Sequence, residues 1–182
     1  MKNAFVRSSM IVALAVTTAG LASAQETVAM PGNATALTTL TAVVSDQARI
    51  TVPSAVTFNV TNIGVATVAS GVTFLADNIV LSSASATLNI SLIGNAATFT
   101  APVASPTWAV ADVSWGVAAF TAGTAVAGTL AATAVPVATC AAAVATCGTT
   151  GASLIFTLAP KPTVTRSGNH TLTMTWKFAS IG

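Results

Sequence analysis

Few residues of this chain have side chains that do chemistry, and their spacing narrows the options quickly. Cys140 and Cys147 are the only cysteines, separated by six residues. An even cysteine count in a chain destined for an oxidising compartment reads as a disulfide. A dithiol redox centre normally uses C-x-x-C spacing. A metal site lacks ligands, because His170 is the sole histidine. Closing so short a loop restricts the unfolded chain by roughly 2.5 kcal/mol in the entropy treatment. The pair is therefore expected to be structural, pinning an Ala-rich loop at one end of the fold.

His170 follows Ser167-Gly168-Asn169, and no acid stands near it in sequence. Catalysis there needs partners brought from afar, and the acids Asp46, Asp77 and Asp112 sit in no nucleophile elbow and no paired-carboxylate motif. His170 reads as a turn residue and the acids as loop solubilisers. Trp108, Trp115 and Trp176 raise a different chemistry, the stacking of an indole on a sugar ring. Trp176 shares a face with Leu172, Met174 and Phe178, which assigns it to the core. Trp108 follows Pro106-Thr107 and Trp115 lies near Asp112; each is expected to be a buried aromatic, and these two are the candidate ligand contacts if either is exposed. Asn-x-Ser/Thr sequences at Asn33, Asn59, Asn89 and Asn169 are expected by composition in so Thr-rich a chain. No cofactor and no metal is expected.

These residues sit in a chain of 182, of which 53% are hydrophobic and only 5% charged. Ordinary soluble domains carry about a quarter charged residues, whereas disorder requires low hydrophobicity with high net charge. Residues 1–24 read as a secretory signal peptide: Lys2 and Arg7 precede the apolar run Met10–Ala19, and Ala22-Ser23-Ala24 supplies the cleavage site. The run is shorter than the ~20 residues a membrane span needs, so no membrane insertion is expected after cleavage. Beyond it remain Arg49, Lys161, Arg166 and Lys177 against Glu26, Asp46, Asp77 and Asp112, a neutral set. Recognition of nucleic acid or anionic lipid has no basis in it, while self-association meets little repulsion. The expected location is periplasm, cell surface or extracellular space.

The elements that must position these residues are strands. Ala86, Leu88, Ile90 and Leu92 alternate with Ser85, Thr87, Asn89 and Ser91. Leu172, Met174, Trp176 and Phe178 alternate with Thr171, Thr173, Thr175 and Lys177. Val56, Phe58 and Val60 repeat the pattern, as do Leu154, Phe156 and Leu158, with Ile155 the apolar exception on the polar face. Period two over such runs marks half-buried strands. Turn signals at Pro53, Asn62-Ile63-Gly64, Gly94-Asn95, Pro160–Pro162 and Ser167-Gly168-Asn169 divide them. The expectation is a single antiparallel β-sandwich over 38–182, with about seven to nine strands. A membrane barrel fits the length, but three Trp, seven Phe and no Tyr make poor aromatic girdles. Residues 117–145 are too repetitive for the period to decide between strand, loop and helical turn.

The export signal, the Ala/Thr/Val/Ser composition and the segment from Gly168 to Trp176 resemble bacterial surface-structure subunits, the chaperone–usher pilins and the spore coat U type secreted proteins. Their last strands similarly follow a Gly-x-Tyr turn, where this chain has His170. The cysteines here are close and late rather than widely spaced and early. The resemblance implies an immunoglobulin-like sandwich with a structural role and carries over no site residue.

The functional expectation is a non-enzymatic secreted structural subunit, with a ligand-binding or adhesive module, for glycans through Trp108 or Trp115, as the alternative. Residues 25–37, Thr/Ala-rich and interrupted by Pro31-Gly32, are expected to form a flexible segment that extends beyond the domain. Such a tail can satisfy an open sheet edge on a neighbouring molecule by strand addition.

Overall fold

The computed structural model describes residues 38–142, 144 and 146–182. The signal peptide expected at 1–24 and the flexible segment expected at 25–37 lie outside the described residues. The fold belongs to the compact unit Val43–Gly182. It is all-β apart from one 3-10 turn, Val110–Asp112.

Three antiparallel sheets build it. The first orders β1 (Gln47–Thr51), β3 (Leu75–Val80) and β9 (Thr146–Gly148) as β1-β3-β9. The second orders β2 (Thr67–Val68), β10 (Leu154–Leu158), β5 (Val113–Val117) and β7 (Gly128–Thr129) as β2-β10-β5-β7. The third orders β11 (Met174–Ile181), β4 (Thr87–Gly94), β8 (Val135–Ala141) and β6 (Gly123–Ala125) as β11-β4-β8-β6. The eleven strands exceed the expected seven to nine because β2, β6, β7 and β9 are pieces of two or three residues. Runs that short carry no readable alternation.

The alternation in β4 translates directly into burial. Leu88, Ile90 and Leu92 are buried, while Thr87, Asn89 and Ser91 lie on the other, partly exposed face. In β10, Leu154, Phe156 and Leu158 are buried and Ile155 is exposed. These side chains join Val113 and Trp115 of β5 and Val137 of β8 in one apolar core.

The Ala-rich stretch resolves into strands. β6 pairs with β8 in the third sheet, and only Val126 and Ala127 separate it from β7, which pairs with β5 in the second. One flank of the sandwich is thereby closed. The chain can cross so tightly because Gly123 and Gly128 have no side chain. A Cβ at Gly128 would come within 2.5 Å of the Trp115 ring, and one at Gly123 within 2.6 Å of the Cys147 sulfur.

Cys140 of β8 and Cys147 of β9 form the disulfide, with Cα atoms 5.8 Å apart and both residues fully buried. It ties the third sheet to the first. Non-reducing mass spectrometry should therefore find the intrachain bridge and no free thiol. The Cys140→Ser/Cys147→Ser variant should still fold but lose roughly 2–3 kcal/mol, seen as a melting temperature lower by about 5–10 °C.

Charged side chains brace the outside. Arg49 of β1 donates from Nε and Nη2 to the two carboxylate oxygens of Asp77 on β3, at 2.6 and 2.7 Å. The guanidinium holds the Asp77 carboxyl below its ordinary pKa, and the carboxylate raises that of Arg49 in return. A depressed carboxyl pKa stabilises the fold above its unfolded value, and that contribution disappears as pH falls through the folded value. Asp77→Asn should thus reduce stability at neutral pH by a small amount, as exposed pairs do. The difference from the unaltered protein should shrink as pH falls below the ordinary carboxyl range of about 4 and vanish once the folded carboxyl is protonated, measured by thermal melts across a pH series.

Candidate functional site

The flank opposite β6 and β7 is open. There, among the described residues, β11 is an edge strand paired on one side only, to β4, over all eight of its residues. Beside it lies a groove of about 590 Å³. One wall is the inner face of β11, carrying Met174 and Trp176, with Leu172 before it. The other wall is residues 53–60, and Phe156, Val113 and Leu130 form part of the floor. Apolar side chains from the inward strand positions share the lining with polar groups, among them Ser54, Thr57, Asn169, His170 and Thr171.

Trp176 occupies the expected face, but the expectation of a core residue requires correction. Met174, Trp176 and Phe178 are all half-buried, because the open groove leaves their strand uncovered along one side. Trp176 stacks on Phe74 with ring centroids 5.6 Å apart. Phe74 is buried and also stacks on Phe120 and Phe178.

Trp108 and Trp115 are buried, as the leading expectation for each has it, which leaves the ligand-contact alternative no exposed ring. Trp108 is 4% exposed and Trp115 2%. The Trp108 indole N–H donates to the Ala159 carbonyl at 2.8 Å, and that of Trp115 donates to the Val126 carbonyl at 2.9 Å. Each ring is a core group whose one polar atom is satisfied, as buried indoles usually are. Sequence spacing does not name these acceptors, because the carbonyls lie 51 and 11 residues away. Trp115 is absent from the groove, and Trp108 reaches it only as part of the floor.

His170 stands at one end of the groove, half-buried. Its Nε2 lies 3.3 Å from the Arg166 carbonyl, which can only accept, so Nε2 carries a proton. In the neutral ring Nδ1 then accepts from the Thr107 hydroxyl at 2.8 Å. The ring also meets Trp108 edge-on, with centroids 5.2 Å apart. A hydroxyl beside an imidazole resembles half of a hydrolytic site, but no carboxylate among the described residues orients this ring.

The acids are engaged elsewhere. Asp112 accepts from the Ala109 N–H at 2.8 Å and from Lys161 Nζ at 3.0 Å, and Asp46 accepts from the Ser180 hydroxyl. Asp77 is held by Arg49. Among the described residues no group of three metal-ligating side chains converges, and none of their helices is long and apolar enough to cross a membrane. The groove can bury apolar side chains and the β11 edge can hydrogen-bond a backbone. No family model matches the chain, and no curated protein or solved structure matches it either.

The burial pattern separates the aromatic residues by function as well as position. Phe74→Ala should cost about 3–5 kcal/mol, as truncation of a fully buried aromatic does. Trp176→Ala should cost distinctly less, about 1–2 kcal/mol, since one side of its ring already faces the groove. Denaturant titration of the two variants measures both.

Proposed function

We propose that this chain is a non-enzymatic, secreted structural subunit of the surface-subunit kind, an immunoglobulin-like sandwich that self-associates by strand addition at the open flank. The observation that carries this reading is the coincidence, among the described residues, of an unpaired eight-residue edge, β11, with a groove beneath it that apolar side chains help to line. A free edge offers a row of N–H and C=O groups to another strand. In strand addition those groups supply affinity, and pockets for alternate side chains supply specificity.

The chain also carries a suitable donor. Leu40, Val43 and Val44 are 93%, 88% and 68% exposed, on a stretch from Thr38 to Asp46 that is outside any strand. Among the described residues the first strand starts only at Gln47. Residues 34–44 contain no Pro, no Gly and no charge. That composition suits an added strand. The donor therefore extends past the expected 25–37 segment into Leu40–Val44. The neutral exported chain adds little charge repulsion between copies.

The test is a pair of truncations of the mature protein, followed by light scattering and negative-stain microscopy. Removing 25–44 should leave a folded monomer that forms no higher-order species. Removing 25–37 alone should retain association, because Leu40, Val43 and Val44 remain. Identical size distributions for the 25–44 truncation and the full mature chain, at every concentration, would overturn the proposal.

A further inference from the structure

Residues 53–60 have the side-chain alternation of a strand without being one. Val56, Phe58 and Val60 are half-buried against the core, while Thr57 and Asn59 are exposed. Among the described residues the segment belongs to no sheet, and its one internal backbone hydrogen bond runs from the Val60 N–H to the Phe58 carbonyl at 3.1 Å. Space lies on both sides of it. The groove separates it from β11, and a second cavity of about 420 Å³ separates it from residues 70–73.

Its downstream end is fixed and its upstream end is stiff. The Lys161 N–H donates to the Ile63 carbonyl at 2.6 Å, and the Gly64 N–H donates to Asn62 Oδ1 at 2.9 Å. Pro53 restricts the backbone where the chain leaves β1. Between these points the segment is held by three apolar side chains and no ladder. Segments with few buried contacts and no sheet hydrogen bonds open locally at low free-energy cost, without global unfolding.

We propose that residues 53–60 are a displaceable strap that forms one wall of the groove in the isolated subunit and lifts away to widen it for an incoming strand. The inference rests on the strand-addition reading and adds its regulation. Phe58 is the largest side chain on the strap's inner face and shares the groove with Trp176 and Met174. While it is seated, the apolar wall of β11 is partly shielded. When it withdraws, the full β11 edge and groove become available. Opening of the strap thus sets the rate of association without any change in the sandwich behind it.

The experiment compares Phe58→Ser with Thr57→Ser in the mature chain. Trp176 is the half-buried tryptophan, so acrylamide quenching reports chiefly on the groove, and binding of an apolar fluorescent dye reports exposed lining. Phe58→Ser should raise both by about twofold, as loss of a locally stabilising contact does, and should accelerate association. Thr57→Ser should change none of the three. Unchanged quenching and dye binding in Phe58→Ser would overturn the strap. Greater groove access without faster association would leave the strap standing and overturn strand addition at this groove. Hydrogen exchange on the unaltered chain gives a check independent of folding in the variant. Amides 54–59 should exchange rapidly while those of Leu88–Leu92 stay protected, and slow exchange at 54–59 would overturn the strap.

Discussion

The packing of this protein turns on Phe74, and in particular on a serine hydroxyl that fixes its backbone. Ser153 is fully buried, and its Oγ both accepts from the Phe74 N–H at 3.1 Å and donates to the Phe74 carbonyl at 2.9 Å. One hydroxyl thereby satisfies both main-chain groups of a residue just before β3, from a position just before β10. A buried donor or acceptor left without a partner costs about 1–3 kcal/mol, so the hydroxyl specifies this junction of the first and second sheets. The ring then reaches the third sheet, stacking on Trp176 and Phe178 of β11 and on Phe120. Gly148 completes the knot. It has φ of +95°, and a Cβ there would come within 2.3 Å of the Phe74 carbonyl oxygen. The neighbouring Cys147 carries the bridge to β8, so covalent, polar and aromatic links between sheets gather around one residue.

How much of this was legible in the sequence depends on whether the physics is local. The alternation of Ser85–Leu92 and Leu154–Leu158 reports the two-residue period of a strand with one wet face, and β4 and β10 follow it. The cysteine pair was legible because so short a loop brings its ends together in almost any fold. The same period also occurs at Val56, Phe58 and Val60, where no ladder forms. Alternation says which face is apolar and says nothing about whether a neighbouring strand exists to pair. Trp176 makes the same point from the other side: its face is the expected one, but its burial depends on a layer that the chain leaves incomplete. Trp108 and Trp115 were legible as buried rings, but their hydrogen-bond partners were not. A tryptophan's environment is set by what accepts its N–H, and here the acceptors, Ala159 and Val126, are main-chain groups with no sequence signature.

The chemistry that the sequence lacks is consistent with how the structure uses what it has. The three described aspartates are all committed to holding loops and edges, through Arg49, Lys161 with the Ala109 N–H, and Ser180. His170 is held between a hydroxyl and a carbonyl, with both ring nitrogens engaged in the neutral form. These polar side chains are occupied in holding backbone and one another.

The two flanks of the sandwich then differ for a reason that lies in glycine placement. On the closed flank Gly123 and Gly128 let β6 and β7 approach Cys147 and the Trp115 ring closely enough to cross from sheet to sheet. On the open flank no such crossing exists. Segment 53–60 packs Val56, Phe58 and Val60 against the core and stands across the groove from β11. A strand is about 4.7–4.9 Å from its neighbour when paired, and among the described residues the groove takes the place of such a pairing here. The groove and the unpaired β11 edge thus lie together. A single segment packs by its side chains where the opposite flank packs by its backbone.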